Sequence, residues 1–436
     1  MREVNEMKRK LETVLAAWKE KSSDRKPLII AGARQVGKTY LLRKFGENYF
    51  HNVVYINLET NRKAASYFDD NIQPDRLVRY LEAAAGEHII PGETLLILDE
   101  IQSCERALTS LKYFCEELPE LCVAAAGSLL GVAIHREHYS FPVGKVESLT
   151  LYPLDFEEYL WARGKEFLSK EIRNAYDNME KLPAALHQEA VEFYREYLLI
   201  GGMPGCINAF MKRGSFLDLQ LVQQEILDNY IADMAKYASN PDSVKIRACY
   251  NSIPAQLAKE NKKFQYKVVQ KGGSATIFGA SIEWLSLAGV VLKCQRINQA
   301  YEPLPAYADL SAFKLYMGDV GLLTMKSGIS MQTVLSGEGN MFMGAVTENY
   351  VAQQLKARGY DLFYWESSST AELDFVLQKG SRIFGIEVKK GEHVRSRSLS
   401  VFVNTYKPDF SIRLSLKNFG EKDGLKSVPL YAAFCI

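Results

Sequence analysis

Four kinds of hydrophobic pattern follow one another along the 436-residue chain. Up to about residue 165, short apolar runs rich in β-branched residues alternate with helical patterns, which predicts a parallel sheet with crossover helices. From about 183 to 237 the pattern is helical, and glycines and a proline at 201–205 interrupt it. Between about 245 and 320, two helical stretches precede the strand-like run VVLKCQRI, an order compatible with a winged helix. The last hundred residues return to a mixed pattern.

These patterns divide the chain into four predicted domains. They are an α/β domain with a parallel sheet at 1–165, a helical connector at 166–240, a winged-helix-like module at 241–330 and a C-terminal α/β domain at 331–436. A chain of this length can bury several cores, because single domains usually hold about 100–200 residues.

Composition removes several classes of protein from consideration. Lys and Arg total 53 against 52 acids, so the formal net charge is +1 and any basic surface must be local. No apolar run reaches the ~18 residues of a membrane helix, and the charged N-terminus does not match a signal peptide, which together predict a cytoplasmic protein with no membrane partner. The seven cysteines show no C-x-x-C spacing and are predicted to be reduced thiols.

A glycine-rich segment follows the first strand-like run. Residues 32–39 read GARQVGKT and fit the template G-x-x-x-x-G-K-S/T, with apolar PLII before them and a helical pattern after them. Loop amides and a helix N-terminus form a cradle for phosphates, with Lys38 reaching the β- and γ-phosphates and the Thr39 hydroxyl on Mg²⁺. The alternative interpretation is a glycine-rich turn of no chemical use. The motif predicts ATP and Mg²⁺ as cofactors, with the nucleotide bound by Gly32, Ala33, Arg34, Gln35, Val36, Gly37, Lys38, Thr39 and Tyr40.

Two further strand-like runs end in residues suited to the same site. TLLILDE ends in Asp99, predicted to ligate magnesium, and Glu100, predicted to polarise the attacking water. An unpaired ion there would cost several kcal/mol, so a cation or solvent must compensate it; a surface acidic pair is the alternative. LCVAAAGS ends in Ser128, which could contact the attacking water or the γ-phosphate, because strand ends of a parallel sheet gather at one edge. An ordinary strand-end turn would explain Ser128 equally well.

With these motifs the first region resembles the AAA+ ATPases, specifically a bacterial and archaeal group whose chains carry GARQVGKT, LDEIQ, GS and a YPLxFEEYL stretch. Here the four motifs stand at 32–39, 98–102, 127–128 and 151–160. The resemblance continues into a C-terminal domain of unknown function, through LLIGGMPG, YMGDVGLL and ENYVAQQL. It implies a P-loop NTPase that binds ATP and ADP and hydrolyses ATP, and that could oligomerise, because AAA+ sites are often completed by a neighbouring subunit.

One position departs from that group. Many members have Gly-Arg shortly before the YPL stretch, where this chain has Gly144 and Lys145. Lys145 can supply a point charge but lacks the planar fork of an arginine finger. Arg136 is a second candidate, on proximity in sequence alone.

The C-terminal region contains a second constellation of charged residues. AELDFVLQ and RIFGIEVKK, joined by KGS, predict an antiparallel hairpin that brings Asp374 close to Glu387. Glu387 and Lys389 share a face because strand side chains alternate, and Glu348 on an upstream helical segment could pack against the same edge. Carboxylates that hold a metal, with a lysine that orients water, suit a magnesium-dependent phosphodiesterase.

This spacing resembles the PD-(D/E)xK signature of the restriction-endonuclease-like fold, with a helical acid as in Holliday-junction resolvases. The resemblance implies that Asp374 and Glu387 ligate metal, that Lys389 is the catalytic base or stabiliser, and that Glu348 is an accessory ligand. Two alternatives stay open: a solvated hairpin with ordinary surface charges, and a nuclease fold that binds DNA without cutting it.

The region from Lys245 to Arg296 is locally basic, with nine Lys or Arg against two acids. A winged helix with this balance would dock on DNA by phosphate contacts, whereas a basic, solvated packing face is the alternative. His135 and His138 have ligand-like spacing but no partner cysteines or acids, and we interpret them as surface residues.

The sequence therefore predicts a Mg²⁺-dependent ATP hydrolase coupled to a DNA-binding C-terminal module with potential nuclease activity. The alternative is a nucleotide-switched protein-interaction scaffold with an inactive nuclease-like fold. The first hypothesis requires Asp374, Glu387 and Lys389 to converge in an accessible basic groove. The second expects them to point apart or to be paired in salt bridges.

Overall fold

Five short apolar strands form a parallel sheet in the N-terminal part of the chain. Their order in the described part of the sheet is β2-β3-β4-β1-β5, and every neighbouring pair is parallel. Two of the three interior runs, TLLILD and CVAAA, are buried along their whole length, as strands with both faces covered by helices should be. The strands are β1 (Leu28–Ala31), β2 (Asn52–Asn57), β3 (Thr94–Asp99), β4 (Cys122–Ala126) and β5 (Glu147–Thr150).

Helices connect these strands and cover the sheet. One apolar cluster packs the inner faces of three helices against β2, β3 and β4, with Phe68, Leu77 and Leu111 fully buried. The helices of this part are α1 (Leu11–Lys19), α2 (Lys38–Tyr49), α3 (Arg62–Asp70), α4 (Pro74–Ala85), α5 (Glu105–Glu117) and α6 (Leu130–Ile134), and a 3-10 turn lies at Ile101–Ser103.

The computed structural model describes residues 7–21, 24–134, 141–337, 340–367, 371–391 and 397–436. It divides into two units: the first unit holds residues 8–152 with 287–289, and the second unit holds Met7 together with 153–286 and 290–436. The four-part division from the sequence stays a prediction. Among the described residues no helix has both the length and the apolar composition needed to cross a bilayer. The seven cysteines form no disulfide bond.

The second unit begins with helices. The first of them, in the YPL stretch, starts with a capping box, in which the Asp155 carboxylate accepts from the Glu158 amide at 2.9 Å and the Glu158 carboxylate accepts from the Asp155 amide. The helices are α7 (Phe156–Ala162), α8 (Glu166–Asn178), α9 (Ala184–Ile200), α10 (Pro204–Arg213), α11 (Phe216–Tyr237), α12 (Asn240–Leu257), α13 (Tyr266–Val269), α14 (Ala275–Leu287), α15 (Val320–Ser327), α16 (Met331–Ser336), α17 (Met343–Ala357) and α18 (Arg397–Tyr406).

A mixed sheet of eight strands completes the second unit. Its order is β12-β13-β11-β10-β9-β8-β6-β7. The hairpin predicted around KGS is β9 and β10, which pair antiparallel, while β8 lies parallel to β6. The strands are β6 (Val291–Ile297), β7 (Ala308–Met317), β8 (Phe363–Glu366), β9 (Glu372–Lys379), β10 (Arg382–Val388), β11 (Ser411–Ser415), β12 (Gly420–Lys422) and β13 (Leu425–Pro429). Two further 3-10 turns lie at Leu304–Tyr307 and Leu430–Cys435.

A buried carboxylate joins two of the sequence marks of the second unit. Asp319, in YMGDVGLL, is 2% exposed and caps α15 by accepting from the Leu322 amide at 3.0 Å. It also accepts from the amide of Gly202, in LLIGGMPG, at 2.6 Å. Burial raises the pKa of Asp319 to about 6 despite these donors. Those two motifs therefore have a packing role within the second unit.

Candidate functional site

The segment 32–39 forms the turn between β1 and α2. Gly32 has φ +143°, and a Cβ built on it would lie 2.2 Å from the Leu151 carbonyl oxygen, so no larger residue fits there. Gly37 has φ +96° and immediately precedes the first helical residue, Lys38. The loop therefore has the backbone that the template requires, with the N-terminus of a twelve-residue helix at its end.

Lys38 is the buried cation of this turn. It is 7% exposed, and its ammonium donates to the carbonyl oxygens of Gly32 and Ala33 at 2.9 Å each. A phosphate would offer the ammonium a stronger, charge-assisted acceptor than these neutral carbonyls. Lys38 is thus positioned inside the loop that is predicted to hold the phosphates.

Arg9 also contacts this turn, which the sequence did not indicate. Its guanidinium donates to the Val36 carbonyl at 3.0 Å and to the Tyr152 carbonyl at 2.6 Å, and the residue is 7% exposed. The contact fixes the middle of the loop to a chain segment more than a hundred residues away.

Asp99 and Thr39 meet at the carboxyl end of β3. Asp99 is 3% exposed, and its Oδ2 accepts from the Thr39 hydroxyl at 2.8 Å. A hydroxyl and a carboxylate are the oxygen ligands that Mg²⁺ prefers, so these two residues fit the predicted metal. Tyr55, which sequence analysis missed, donates to the same Oδ2 at 2.8 Å. Burial raises the pKa of Tyr55, so its hydroxyl stays protonated and acts as a donor to the acid.

Glu100 lies beside Ser128 at the same edge of the sheet. Its Oε2 accepts from the Ser128 hydroxyl at 3.3 Å and from the carboxamide of Gln102. Glu100 has φ +52°, an uncommon conformation for a residue with a side chain. The structure thus brings Ser128 and Glu100 together and adds Gln102, to which sequence analysis assigned no role.

The other predicted residues of the first unit lie as follows. Tyr40 is 52% exposed, and Arg34 is half-buried. Lys145 forms a 2.8 Å ion pair with Glu116, so its charge has a partner within the first unit. The second finger candidate, Arg136, lies outside the described residues, as do His135 and His138.

Glu387, Lys389 and Asp374 lie at the end of the β9–β10 hairpin. The ladder pairs Phe375 with Ile386, so Asp374 and Glu387 occupy the next position outward, as the sequence predicted. Asp374 Oδ2 accepts from the Val388 amide at 2.8 Å. Glu387 is 3% exposed and pairs with Lys389 at 3.1 Å and with the guanidinium of Arg413 at 3.4 Å.

Glu348 pairs with different cations. It contacts the Lys262 ammonium, accepts from the Tyr316 hydroxyl at 3.2 Å and lies 3.9 Å from the Lys314 ammonium. Lys314 is 1% exposed and forms a second ion pair with Glu372. Within the described ranges, no group of three or more His, Cys, Asp or Glu side chains is arranged to hold a metal ion. The Lys314 cluster is defined here as Lys262, Lys314, Tyr316, Glu348, Glu372 and Asp374.

Charges in the Lys314 cluster shift one another's pKa. Burial and the nearby Glu348 carboxylate raise the pKa of Asp374 to about 7. Burial alone would also raise the pKa of Glu348, but the ammonium groups of Lys262 and Lys314 hold it below its usual value. Three carboxylates face two ammonium groups here, and a proton on Asp374 would make the cluster neutral.

Part of the basic charge at 245–296 is neutralised by acids from later in the chain. Lys263 pairs with Glu366, and Arg296 pairs with both Glu366 and Asp309. Helix α14 contains no Lys or Arg, and its one charged residue, Glu283, is exposed. The positive surface expected from counting charges is therefore smaller than the sequence indicated.

Comparisons with known proteins cover the chain in three parts. Residues 24–160 match a family model described as an AAA domain. Residues 191–333 and 343–433 match two models that are each described as a domain of unknown function. The parallel sheet and the 32–39 turn both lie within the residues that are similar to an AAA domain.

Individual proteins are similar to this chain either over a short segment or at low sequence identity. Uncharacterized proteins of Mycobacterium bovis and Mycobacterium tuberculosis are 37% identical over 79 residues, which is 18% of this chain and 18% of each relative. The Walker-type ATPase of Pyrococcus abyssi is 15% identical with a TM-score of 0.46, covering 74% of this chain and 97% of that one. AMPPCP-bound DnaA from Aquifex aeolicus is 14% identical with a TM-score of 0.28, covering 63% and 86%. These scores are too low to support any inference about function.

Proposed function

We propose that the chain binds ATP with Mg²⁺ at the 32–39 turn and hydrolyses it. The observation that carries this proposal is the 2.8 Å hydrogen bond between Thr39 and Asp99, which joins the phosphate turn to the acid of β3. Glu100 follows that acid directly, so the groups needed for phosphoryl transfer lie at one edge of one sheet. The AAA domain match over residues 24–160 supports the same conclusion.

Each residue then has a distinct task. Lys38 neutralises charge on the β- and γ-phosphates, and loop amides donate to their oxygens. Thr39 and Asp99 would hold Mg²⁺, which supplies further charge neutralisation when bound. Glu100 accepts a hydrogen bond from the attacking water, and Ser128 contacts Glu100. Catalysis here consists mainly of positioning and electrostatic stabilisation.

Removal of Mg²⁺ tests the proposal. We expect the full-length protein to release phosphate from ATP with Mg²⁺ and to lose at least about 100-fold of that rate with excess EDTA, because the metal stabilises developing charge. Restoring Mg²⁺ should restore the rate, and Asp99→Asn should require more Mg²⁺ for half-maximal activity. A rate that is unchanged by EDTA, or no ATP binding, would contradict the assignment.

We further propose that the second unit is a nucleotide-switched interaction scaffold with an inactive nuclease-like fold. The observation that favours this over a nuclease is the ion pairing of the expected metal ligands: Glu387 with Lys389 and Arg413, and Glu348 with Lys262. Breaking such pairs to free the acids for a metal costs desolvation and coulombic energy. The helix–three strands–helix–strand order from α17 to β11 still supports a nuclease-like ancestry for the fold.

DNA binding without cleavage remains the competing prediction. Helices α12, α13 and α14 precede the antiparallel pair β6–β7, and the backbone of Lys263 forms an isolated antiparallel β-bridge with Lys314 of β7. This arrangement supports a winged-helix identity for 241–330. The absence of Lys and Arg from α14 argues against a phosphate-binding recognition helix.

A cleavage assay separates these possibilities. We expect plasmid and branched DNA, incubated with the protein and Mg²⁺ or Mn²⁺, to be cut no faster than with the Asp374→Ala variant, because two of the three acids that would hold metal, Glu348 and Glu387, are paired with cations. Cleavage that depends on both metal and Asp374 would show that the site is a nuclease. Salt-sensitive retention of the same DNA without cleavage would instead support the DNA-binding prediction.

A further inference from the structure

Two side chains hold the same oxygen of Glu100. The carboxamide of Gln102 and the hydroxyl of Ser128 both donate to Oε2. No donor among the described residues contacts the other oxygen, Oε1. A general base needs one oxygen with an available lone pair in a fixed direction, and anchoring the other oxygen provides that direction.

Gln102 is buried between the 3-10 turn to which it belongs and Gly127. It is 6% exposed and lies in the 3-10 turn Ile101–Ser103, directly after Glu100. On its other side is Gly127, at the end of β4, where an added Cβ would lie 2.5 Å from the Gln102 Oε1 atom. The φ angle of Gly127 is not positive, so its backbone conformation would allow an alanine. The steric conflict of an alanine there is with the Gln102 carboxamide.

We propose that Gln102 is a positioning residue for Glu100, and that Gly127 leaves the space that its carboxamide occupies. Gln102 fixes Oε2, and Oε1 accepts a proton from the water that attacks the γ-phosphorus. The bond between that phosphorus and the β–γ bridging oxygen breaks, its electron pair stays on the departing ADP oxygen, and the products are ADP and phosphate. This inference rests on the proposed ATP hydrolysis.

A double-mutant cycle tests the inference in the full-length protein. We expect Gln102→Ala to lower kcat about 10- to 100-fold, as expected for a misplaced catalytic group, with KM and the Kd for a fluorescent ATP analogue unchanged within about twofold. Gly127→Ala should lower kcat to a similar extent, because its Cβ displaces the carboxamide. In the Gln102→Ala background, Gly127→Ala should have no further effect.

Three more variants make the cycle interpretable. Ser103→Ala changes an exposed neighbour in the same turn, and Gly279→Ala adds a Cβ in helix α14 with no atom within 4 Å; both should retain wild-type kcat. Gln102→Leu keeps the bulk of the side chain without the donor, and replaces Gln102→Ala if the alanine variant fails to fold.

The measured rates distinguish failure of the positioning role from failure of the proposed ATP hydrolysis. Independent, additive effects of the two substitutions, or a faster rate in Gln102→Ala or Gln102→Leu, would overturn the positioning role. Wild-type hydrolysis together with an unchanged rate in those variants would overturn this inference alone. A wild-type protein that binds ATP without hydrolysing it would overturn the proposed function and, with it, the role of Gln102.

Discussion

Replacement of Lys38 by alanine is expected to reduce ATP turnover by at least about 100-fold, and to weaken ATP binding as well. The ammonium lies within the 32–39 turn, 2.9 Å from two of its carbonyl oxygens, where phosphate oxygens would replace those partners. Its burial reduces screening by water, so its interaction with a phosphate is stronger than that of a surface lysine. Phosphate release gives the rate, and titration with a fluorescent ATP analogue gives the Kd.

Lys63→Ala is the matched control for that variant. Lys63 is an exposed lysine of α3 in the same unit, so its removal changes the net charge equally and should leave kcat and Kd unchanged. Lys38→Arg tests geometry, since it keeps the charge on a larger, planar group. Hydrolysis by Lys38→Ala at the wild-type rate would show that ATP is bound elsewhere.

Replacement of Lys314 by alanine is expected to destabilise the second unit by about 3–5 kcal/mol, as removal of one partner from a buried ion pair does. Lys314 is 1% exposed and lies between Glu372 and Glu348, with Asp374 also close enough to affect its pKa. The substitution leaves three carboxylates facing the single ammonium of Lys262. Because the two units need not unfold together, hydrogen exchange of peptides covering β9 and β10 measures the loss locally.

The Lys314 prediction carries its own pH dependence. Because the pKa of Asp374 is raised from 3.8 to about 7, the stability linked to its protonation is fully present below about pH 4 and is lost as the pH rises through 7. The loss of stability caused by Lys314→Ala should therefore be larger at pH 8 than at pH 5. Lys267→Ala, which removes an exposed lysine of α13, is the control. Equal protection of β9 and β10 in wild type and Lys314→Ala at pH 8 would contradict the prediction.

Local sequence patterns were sufficient for much of the fold and for part of the site. The apolar runs before Gly32 and Asp99 indicated strands because buried parallel strands are apolar on both faces. Gly32 and Gly37 of the 32–39 turn both have positive φ angles, which is a local backbone requirement, and KGS determines the register that brings Asp374 close to Glu387. Each of these features depends on residues that are close together in the chain.

The features that sequence analysis missed depend on distant partners. Arg9 contacts residues 27 and 143 positions away, and the hydroxyl of Tyr55 contacts a carboxylate 44 positions away. A single arginine or tyrosine has no local motif that reveals its partner. Counting charges at 245–296 overestimated the unpaired positive charge for the same reason, because Lys262 and Lys263 pair with Glu348 and Glu366. Gln102 could have been identified from the sequence, since it lies two residues after Glu100 at the end of the LDEIQ motif.

The eight-stranded sheet has a consequence for how the gene can be divided. Strands β6 and β7 belong to the segment 191–333 and β8 to β13 to the region beyond it, yet β6 hydrogen-bonds to β8 within one sheet. Cutting the coding sequence between those segments would leave each fragment with an unpaired edge strand that can pair with other chains. It would also separate Glu348 and Glu366 from the lysines with which they form ion pairs. The two stretches therefore need to be expressed together: expression plasmids that begin near residue 153 keep both of them, whereas those that begin near 340 separate them.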